Sequence, residues 1–221
     1  MTRIAIIENG PSLRSSFGHM LEQAGVEHMT ARMWRGADMP DDCDAFIMTG
    51  DFHDLTRGLK DYHRREIEFL DALDGRKLFA SCFSHQLVAV AHGGKVERRQ
   101  NRLLRWETVR LAEEHPALEG LSTFAAVCLN IEEVSVVPDA ARQIGSSSGC
   151  ACQVLSYGDN ILTCQGHPEM AVVRGQAMVN ALALLLSQGH RAEFNEYRAS
   201  RPKPLPSQSE FMTAVIRWLS I

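Results

Sequence analysis

The chain has 221 residues, 45 % of them hydrophobic and 23 % charged, with a formal net charge of −4. This composition is enough for one large domain with a real core, and it excludes both disorder and the basic footprint of a nucleic-acid binder. No stretch approaches about 20 uninterrupted apolar residues, and the opening MTRIAIIENG meets Glu8 too early for a secretory leader, so a soluble, cytoplasmic protein with no membrane partner is expected.

Arg3 to Glu8 reads as a short apolar strand closed by the turn signal Asn9-Gly10-Pro11. Leu13, Phe17, Met20 and Leu21 recur at helical spacing up to Gly25. Val26 to Trp34 and Ala45 to Thr49 are the next strands, and His63 to Leu73 presents Ile67, Leu70 and Leu73 on one helical side. Lys77 to Ser81 is again strand-like and Ser84 to His92 helical. Strands alternating with helices predict an α/β domain around a mostly parallel sheet, and nearly continuous apolar strands suit a sheet covered on both faces.

The second half is strand-rich. Val96 to Arg98, Glu107 to Leu111, Ala125 to Leu129, Val134 to Val137, Arg142 to Ser146, Ala151 to Leu155 and Ile161 to Cys164 are predicted strands. Tyr157-Gly158-Asp159-Asn160 is the hairpin turn between the last two. The basic residues Arg98, Arg99, Arg102 and Arg105 read as a solvated loop, with contact to an anionic substrate or partner as the alternative. Val172 to Leu186 reads as a long buried helix. The segment Arg201-Pro202-Lys203-Pro204-Leu205-Pro206 is extended, and Ser207 with Glu210 forms a capping box before a final helix bearing Phe211, Val215, Trp218 and Leu219. A tail of this length is too short to bury a core alone, so residues 189–221 are expected to pack on a domain spanning 1–188.

Six cysteines stand at 43, 82, 128, 150, 152 and 164. Cys150 and Cys152 form a C-x-C pair without a second pair at zinc spacing, so neither metal nor disulfide is expected. Cys82 is different: it stands between a buried strand and a helix, in FASCFSHQLVAVAHGG. At a strand–turn–helix junction a thiol meets the positive end of the helix, and the next amide, that of Phe83, points at a developing oxyanion. A nucleophile also needs a base and a group to orient it. Of the nine histidines, His85 follows too closely and turns away on the new helix. His167 lies at a strand end, two residues before Glu169, so Cys82, His167 and Glu169 make a concrete triad. A buried cysteine and a surface histidine are the plainer alternative.

Three segments carry a resemblance: Ala80-Ser81-Cys82-Phe83-Ser84-His85-Gln86, Gly93-Gly94-Lys95-Val96, and Gln165-Gly166-His167-Pro168-Glu169. In order and wide spacing they resemble the triad-type class I glutamine amidotransferase domain, with G-x-C-x-G-H-Q, GG-x-V and Q-F-H-P-E. The likeness runs from about residue 3 to residue 186. It implies a flavodoxin-like three-layer sandwich, a mostly parallel central sheet plus a small antiparallel element. By motif position Cys82 is the nucleophile, His167 the base and Glu169 its orienter. The Phe83 amide forms half of the oxyanion hole, and Gly50 or its neighbour in Met48-Thr49-Gly50-Asp51 the other half. Gln86, Trp106 and Glu107 match substrate-binding positions, and no cofactor is implied.

The sequence departs from the family at Ala80 and Ser84, where the elbow usually has glycines, and at Gly166, where it has phenylalanine. A loop that commonly reads His-x-Asp-x-Val is Asn130-Ile131-Glu132-Glu133-Val134. The first functional expectation is a glutaminase that supplies ammonia to a separate synthase enzyme. The alternatives are a free-standing γ-glutamyl hydrolase or peptidase on a small γ-glutamyl compound, and a catalytically silent regulatory or binding protein.

Overall fold

The computed structural model describes residues 2–10, 16–171, 191–202 and 209–221. The helix expected over Val172–Leu186 and most of the Pro-rich segment lie outside the described residues, as does Leu13. The first half alternates as expected: β1 (Arg3–Glu8), α1 (Ser16–Gln23), β2 (Glu27–Arg32), β3 (Ala45–Met48), α2 (Asp61–Asp71), β4 (Lys77–Ser81) and α3 (Phe83–Ala91). There follow β5 (Lys95–Leu111), β6 (Thr123–Val136), β7 (Arg142–Ser146), β8 (Val154–Tyr157) and β9 (Ile161–Cys164), then α4 (Arg191–Ser200) and α5 (Glu210–Leu219).

Among the described residues the strands form one sheet in the order β2-β1-β3-β4-β9-β8-β7-β5-β6. Strands β2, β1, β3, β4 and β9 run parallel, and β8, β7, β5 and β6 extend the sheet by antiparallel pairing. Successive residues of a strand face opposite sides, which divides the core in two. Ile4, Ile6, Ile47 and Phe79 pack with Phe17 and Leu21 of α1 and with Phe211, Val215 and Trp218 of α5. Ala5, Ile7, Phe46, Met48 and Leu78 face the other way, against Phe69 and Leu70 of α2 and Leu87 and Val88 of α3. The result is an α/β three-layer sandwich with the flavodoxin-like order 2-1-3-4 at its parallel end. In such sheets a ligand meets the carboxyl ends of the strands, where β1, β3 and β4 deliver Asn9, Thr49 and Cys82. Among the described residues no helix is long and apolar enough to cross a membrane.

The structure corrects the second half. Val96–Arg98 and Glu107–Leu111 are parts of one 17-residue strand, β5, and Ala125–Leu129 and Val134–Val137 belong with one 14-residue strand, β6. The basic stretch is therefore a strand rather than a loop. Its register on β6 shifts between Arg98 and Leu103, and its Lys95–Arg102 half has no buried face, so no period-2 apolar signal marks it. Strand β8 starts at Val154 rather than Ala151, because residues 147–150 close a turn through Ser147 N–H to Cys150 O at 2.9 Å. The cap of α5 is Ser209, whose hydroxyl accepts from Met212 N–H at 3.2 Å. Helix α4 was not foreseen: its Tyr197 is buried with Leu104, Trp106, Val127 and Met170.

Candidate active site

Strand β4 ends at Ser81 and α3 begins at Phe83, so one residue makes the turn. That residue, Cys82, has φ 53° and ψ −110°. Among the described residues only Asp74 is also a non-glycine at positive φ. Such a conformation costs on the order of 1–3 kcal/mol and persists only where neighbours over-determine it. Here Cys82 N–H donates to Cys164 O at 2.8 Å, and Gln86 N–H donates to Cys82 O at 3.2 Å. The departures at the elbow are accommodated. Ala80 is fully buried in β4 between Met48 and Thr163. The Ser84 hydroxyl donates to Thr49 O at 2.6 Å and accepts from Asn9 Nδ2 at 2.7 Å, tying α3 to the ends of β3 and β1.

His167 follows β9 and is stitched to β6 by its N–H to Val127 O at 2.7 Å. The 3-10 turn Pro168–Ala171 returns Glu169 to the ring, and His167 Nδ1–H donates to Glu169 Oε1 at 2.8 Å. Both residues are buried, with 1 % and 4 % exposure. Burial opposes charge on the imidazole, but the neighbouring Cys82 and Glu169 outweigh it and hold His167 well above the ordinary histidine range. The departure at Gly166 has a steric reason: a Cβ there would lie 2.9 Å from Ala126 Cβ and 3.3 Å from Cys128 Sγ. No aromatic side chain fits between β9 and β6 at that point.

Cys82 opens onto a cleft of about 280 Å³, lined by the Asp51–Asp54 loop, Arg57, Phe83, Gln86, Arg98, Arg102 and the β6 segment Leu129–Glu132. Gln86 Nε2 donates to Glu132 O at 2.7 Å and to Gln165 Oε1 at 2.9 Å. Gln165 Nε2 lies 3.9 Å from Cys82 Sγ. Glu132 accepts Leu55 N–H at 2.7 Å, Thr56 N–H at 3.1 Å and the Thr56 hydroxyl, fixing the far side of the loop. Asp51 fixes its near side, accepting Phe52 N–H at 2.7 Å and the Tyr62 hydroxyl at 3.2 Å. Burial pushes the Asp51 carboxyl up, but His63, Lys60 and these hydrogen bonds hold it below its usual value. Gly10 makes room for it, since a Cβ would fall 2.3 Å from Asp51 Oδ1. Phe83 is the first residue of α3, so its amide has no intrahelical acceptor. Gly50 is buried in the turn that follows β3.

Trp106 and Glu107 lie elsewhere. They line a second concavity of about 710 Å³ with Ser146–Ser148, Glu196 and Ser200. Trp106 packs in the α4 cluster, and Glu107 is engaged by Arg105 Nε at 2.5 Å and by the Ser148 hydroxyl at 3.2 Å. Phe52, His53, Asp54, Arg57 and Leu129 enter the cleft without a signal in the sequence, while Asn130–Glu132 come from the segment that departs from the family pattern and Arg98 and Arg102 from the basic run. Among the described residues no three His, Cys, Asp or Glu side chains converge on a metal position.

His85 turns into the core, with Nδ1 2.7 Å from Thr163 Oγ1. Complete burial lowers its pKa to about 3. The unfolded chain binds a proton at His85 near pH 6.5, and the native state does not until about pH 3. Stability is therefore lost as pH falls through this window, by up to about 1.4 kcal/mol per pH unit from this residue. Denaturant unfolding at pH 7 and pH 5 should show a smaller acid loss in His85→Gln than in the wild type. Equal losses would sink the assignment.

Three comparisons bear on this site. The family described as "Glutamine amidotransferase class-I" matches residues 5–183. Among curated proteins, the chain is 27 % identical over 165 residues to "Gamma-glutamyl peptidase 3" of Arabidopsis thaliana, covering 70 % of this chain and 66 % of that protein. "Gamma-glutamyl peptidase 2" of the same plant is 28 % identical over 57 % of this chain and 53 % of its own length. The "GMP synthase [glutamine-hydrolyzing]" of Symbiobacterium thermophilum is 34 % identical over 101 residues, which make up 43 % of this chain and 19 % of that protein. The chain thus spans less than two thirds of the length of these relatives. A crystal structure of a glutamine amidotransferase from Thermotoga maritima superposes with a TM-score of 0.82 at 12 % identity, covering 100 % of this chain and 99 % of the other.

Proposed function

The chain belongs to the class I glutamine amidotransferase family, and from that premise we propose that it is a self-contained γ-glutamyl hydrolase, cleaving the side-chain amide of a small γ-glutamyl compound. The family is capable of amide hydrolysis, and the finer reading rests on one observation. Similarity to γ-glutamyl peptidases runs over more of this chain than similarity to a GMP synthase. The open cleft of about 280 Å³ at Cys82 supports it, because Phe52, Arg57, Arg98 and Arg102 line it together with the thiol and offer contacts to a leaving amine larger than ammonia.

In this reading Cys82 Sγ passes its proton to His167 and attacks the γ-carbonyl carbon, and the amide N–H of Phe83, with that of Gly50 or Asp51, holds the oxyanion. His167 gives its proton to the departing amine as the C–N bond breaks, leaving a γ-glutamyl thioester. Water adds to the thioester carbonyl carbon as His167 takes one proton from it, and the C–S bond breaks to release glutamate while His167 returns that proton to the leaving sulfur and restores the thiol. Glu169 keeps the imidazole oriented through Nδ1. Gln86 and Gln165 brace the floor of the cleft.

The test is glutamate release from glutamine and from a panel of γ-glutamyl amides, with Cys82→Ala alongside. Turnover of a γ-glutamyl amide at least about tenfold above glutamine is expected, a difference of about 1.4 kcal/mol in transition-state binding. Slow, glutamine-only turnover that rises on adding a separate synthase would overturn this reading in favour of ammonia supply. No turnover, with Cys82 inert to a glutamine-like electrophile, would favour a silent protein.

A further inference from the structure

The charged groups lining the Cys82 cleft are not equivalent. Three carboxylates face it, and each is already engaged. Glu132 is turned onto the backbone of Leu55 and Thr56, Asp51 onto Phe52 N–H and Tyr62, and Asp54 is shared by two guanidinium groups, Arg57 at 2.8 Å and Arg98 at 2.9 Å. Arg102 also lines the cleft, is half-buried, and has no ion-pair partner among the described residues. The carboxylates are thus all held in place by their own partners, and Arg102 is the guanidinium of this lining with no ion pair among the described residues. Opposite in character, Phe52 is 51 % exposed at the same cleft, one of few large apolar side chains so placed.

We infer that Arg102 is a specificity residue that binds a carboxylate on the leaving-amine side of the substrate, with Phe52 covering an apolar side chain next to it. This rests on the γ-glutamyl hydrolase reading and deepens it: the preferred substrates are γ-glutamyl amino acids or peptides with a free terminal carboxylate. The geometry fits the chemistry. Arg102 sits on the β5 arm, where the register shift between Arg98 and Leu103 displaces the strand from strict pairing. A guanidinium presents two parallel N–H donors to a carboxylate. The bond is made to the departing fragment, so it discriminates between leaving groups without touching the γ-glutamyl unit.

The experiment compares glutamine, γ-glutamyl-phenylalanine and γ-glutamyl-phenylalaninamide in wild type and in Arg102→Gln. Wild-type kcat/KM is expected to favour the free carboxylate over its amide by about ten- to a hundredfold, the range of a hydrogen bond to a charged group. Arg102→Gln should erase that preference by lowering kcat/KM for γ-glutamyl-phenylalanine about ten- to a hundredfold more than for glutamine or the amide. The KM for γ-glutamyl-phenylalanine should also rise with ionic strength, and that for glutamine should not. Wild-type turnover without a carboxylate preference would overturn the inference. So would an equal loss on all three compounds, which would put Arg102 on the γ-glutamyl unit's own carboxylate. If no compound is turned over, the hydrolase reading fails separately. Calorimetry on Cys82→Ala with and without Arg102→Gln then reads the inference directly: carboxylate-dependent binding lost with Arg102 supports it, and binding indifferent to the carboxylate overturns it.

Discussion

Replacing Cys82 by alanine or by glycine should each lower kcat/KM for a γ-glutamyl amide by at least about ten-thousandfold, the scale of losing a nucleophile. The two variants should then part in stability, with glycine the more stable by about 1 kcal/mol. Ordinarily the order is the reverse, because glycine has more backbone freedom to lose on folding. At Cys82 the backbone is held at φ 53° and ψ −110°, a region that glycine enters freely and a Cβ does not. The side chain is 7 % exposed, and both variants lose the same sulfur, so packing cancels to first order in the comparison. For a chain of this size the difference corresponds to about 2–4 °C in Tm. Denaturant midpoints and thermal scans of the two variants decide the matter. An alanine variant more stable than the glycine variant would show that the elbow stores no strain.

Glu169→Gln should lower kcat by about a thousand- to ten-thousandfold while leaving KM much less affected, since the substitution keeps the shape and removes the charge that orients the imidazole. It should also move the pH profile in a definite direction. His167 is held above its ordinary range, against burial, partly by Glu169. Removing that charge lets burial prevail, so His167 loses its proton at lower pH. In the proposed mechanism the protonated ring is what delivers the amine from the tetrahedral adduct, so the alkaline limb of kcat/KM should shift toward acid. Stability follows the same sign. A raised histidine pKa contributes stability that is complete below the unfolded value near 6.5 and disappears as pH rises through the folded value. The variant should show a narrower version of that window. An unmoved alkaline limb, with only a uniform drop in rate, would place Glu169 in a purely structural role.

The sequence determined the architecture of the parallel half. Apolar runs at Ile4–Ile7, Ala45–Met48 and Leu78–Ser81 are buried on both faces, so their pattern carries the fold class locally. It also determined the local geometry of the proposed site. The Cys82 elbow is a strand–turn–helix boundary, and Pro168 between His167 and Glu169 sets a tight turn that puts both side chains on one side. These are short-range facts, written within a few residues of one another.

Only the tertiary structure decided what surrounds the thiol. Residues 98–102 sit on an arm of β5 with no buried face, paired to β6 at Arg98 and again from Leu103 and not held by a core. Hydrogen bonding leaves no periodic trace in a sequence, so the arm reads as a wet loop, yet it brings Arg98 and Arg102 to a cleft shared with Asp54, Cys82 and Glu132. Ser84 and Gly166, odd as single letters, become intelligible once Thr49, Asn9 and Ala126 stand beside them. The elbow and the His–Glu turn follow from local backbone preference. The cleft is assembled from segments tens of residues apart, and which of their side chains meet is settled by the register of the sheet.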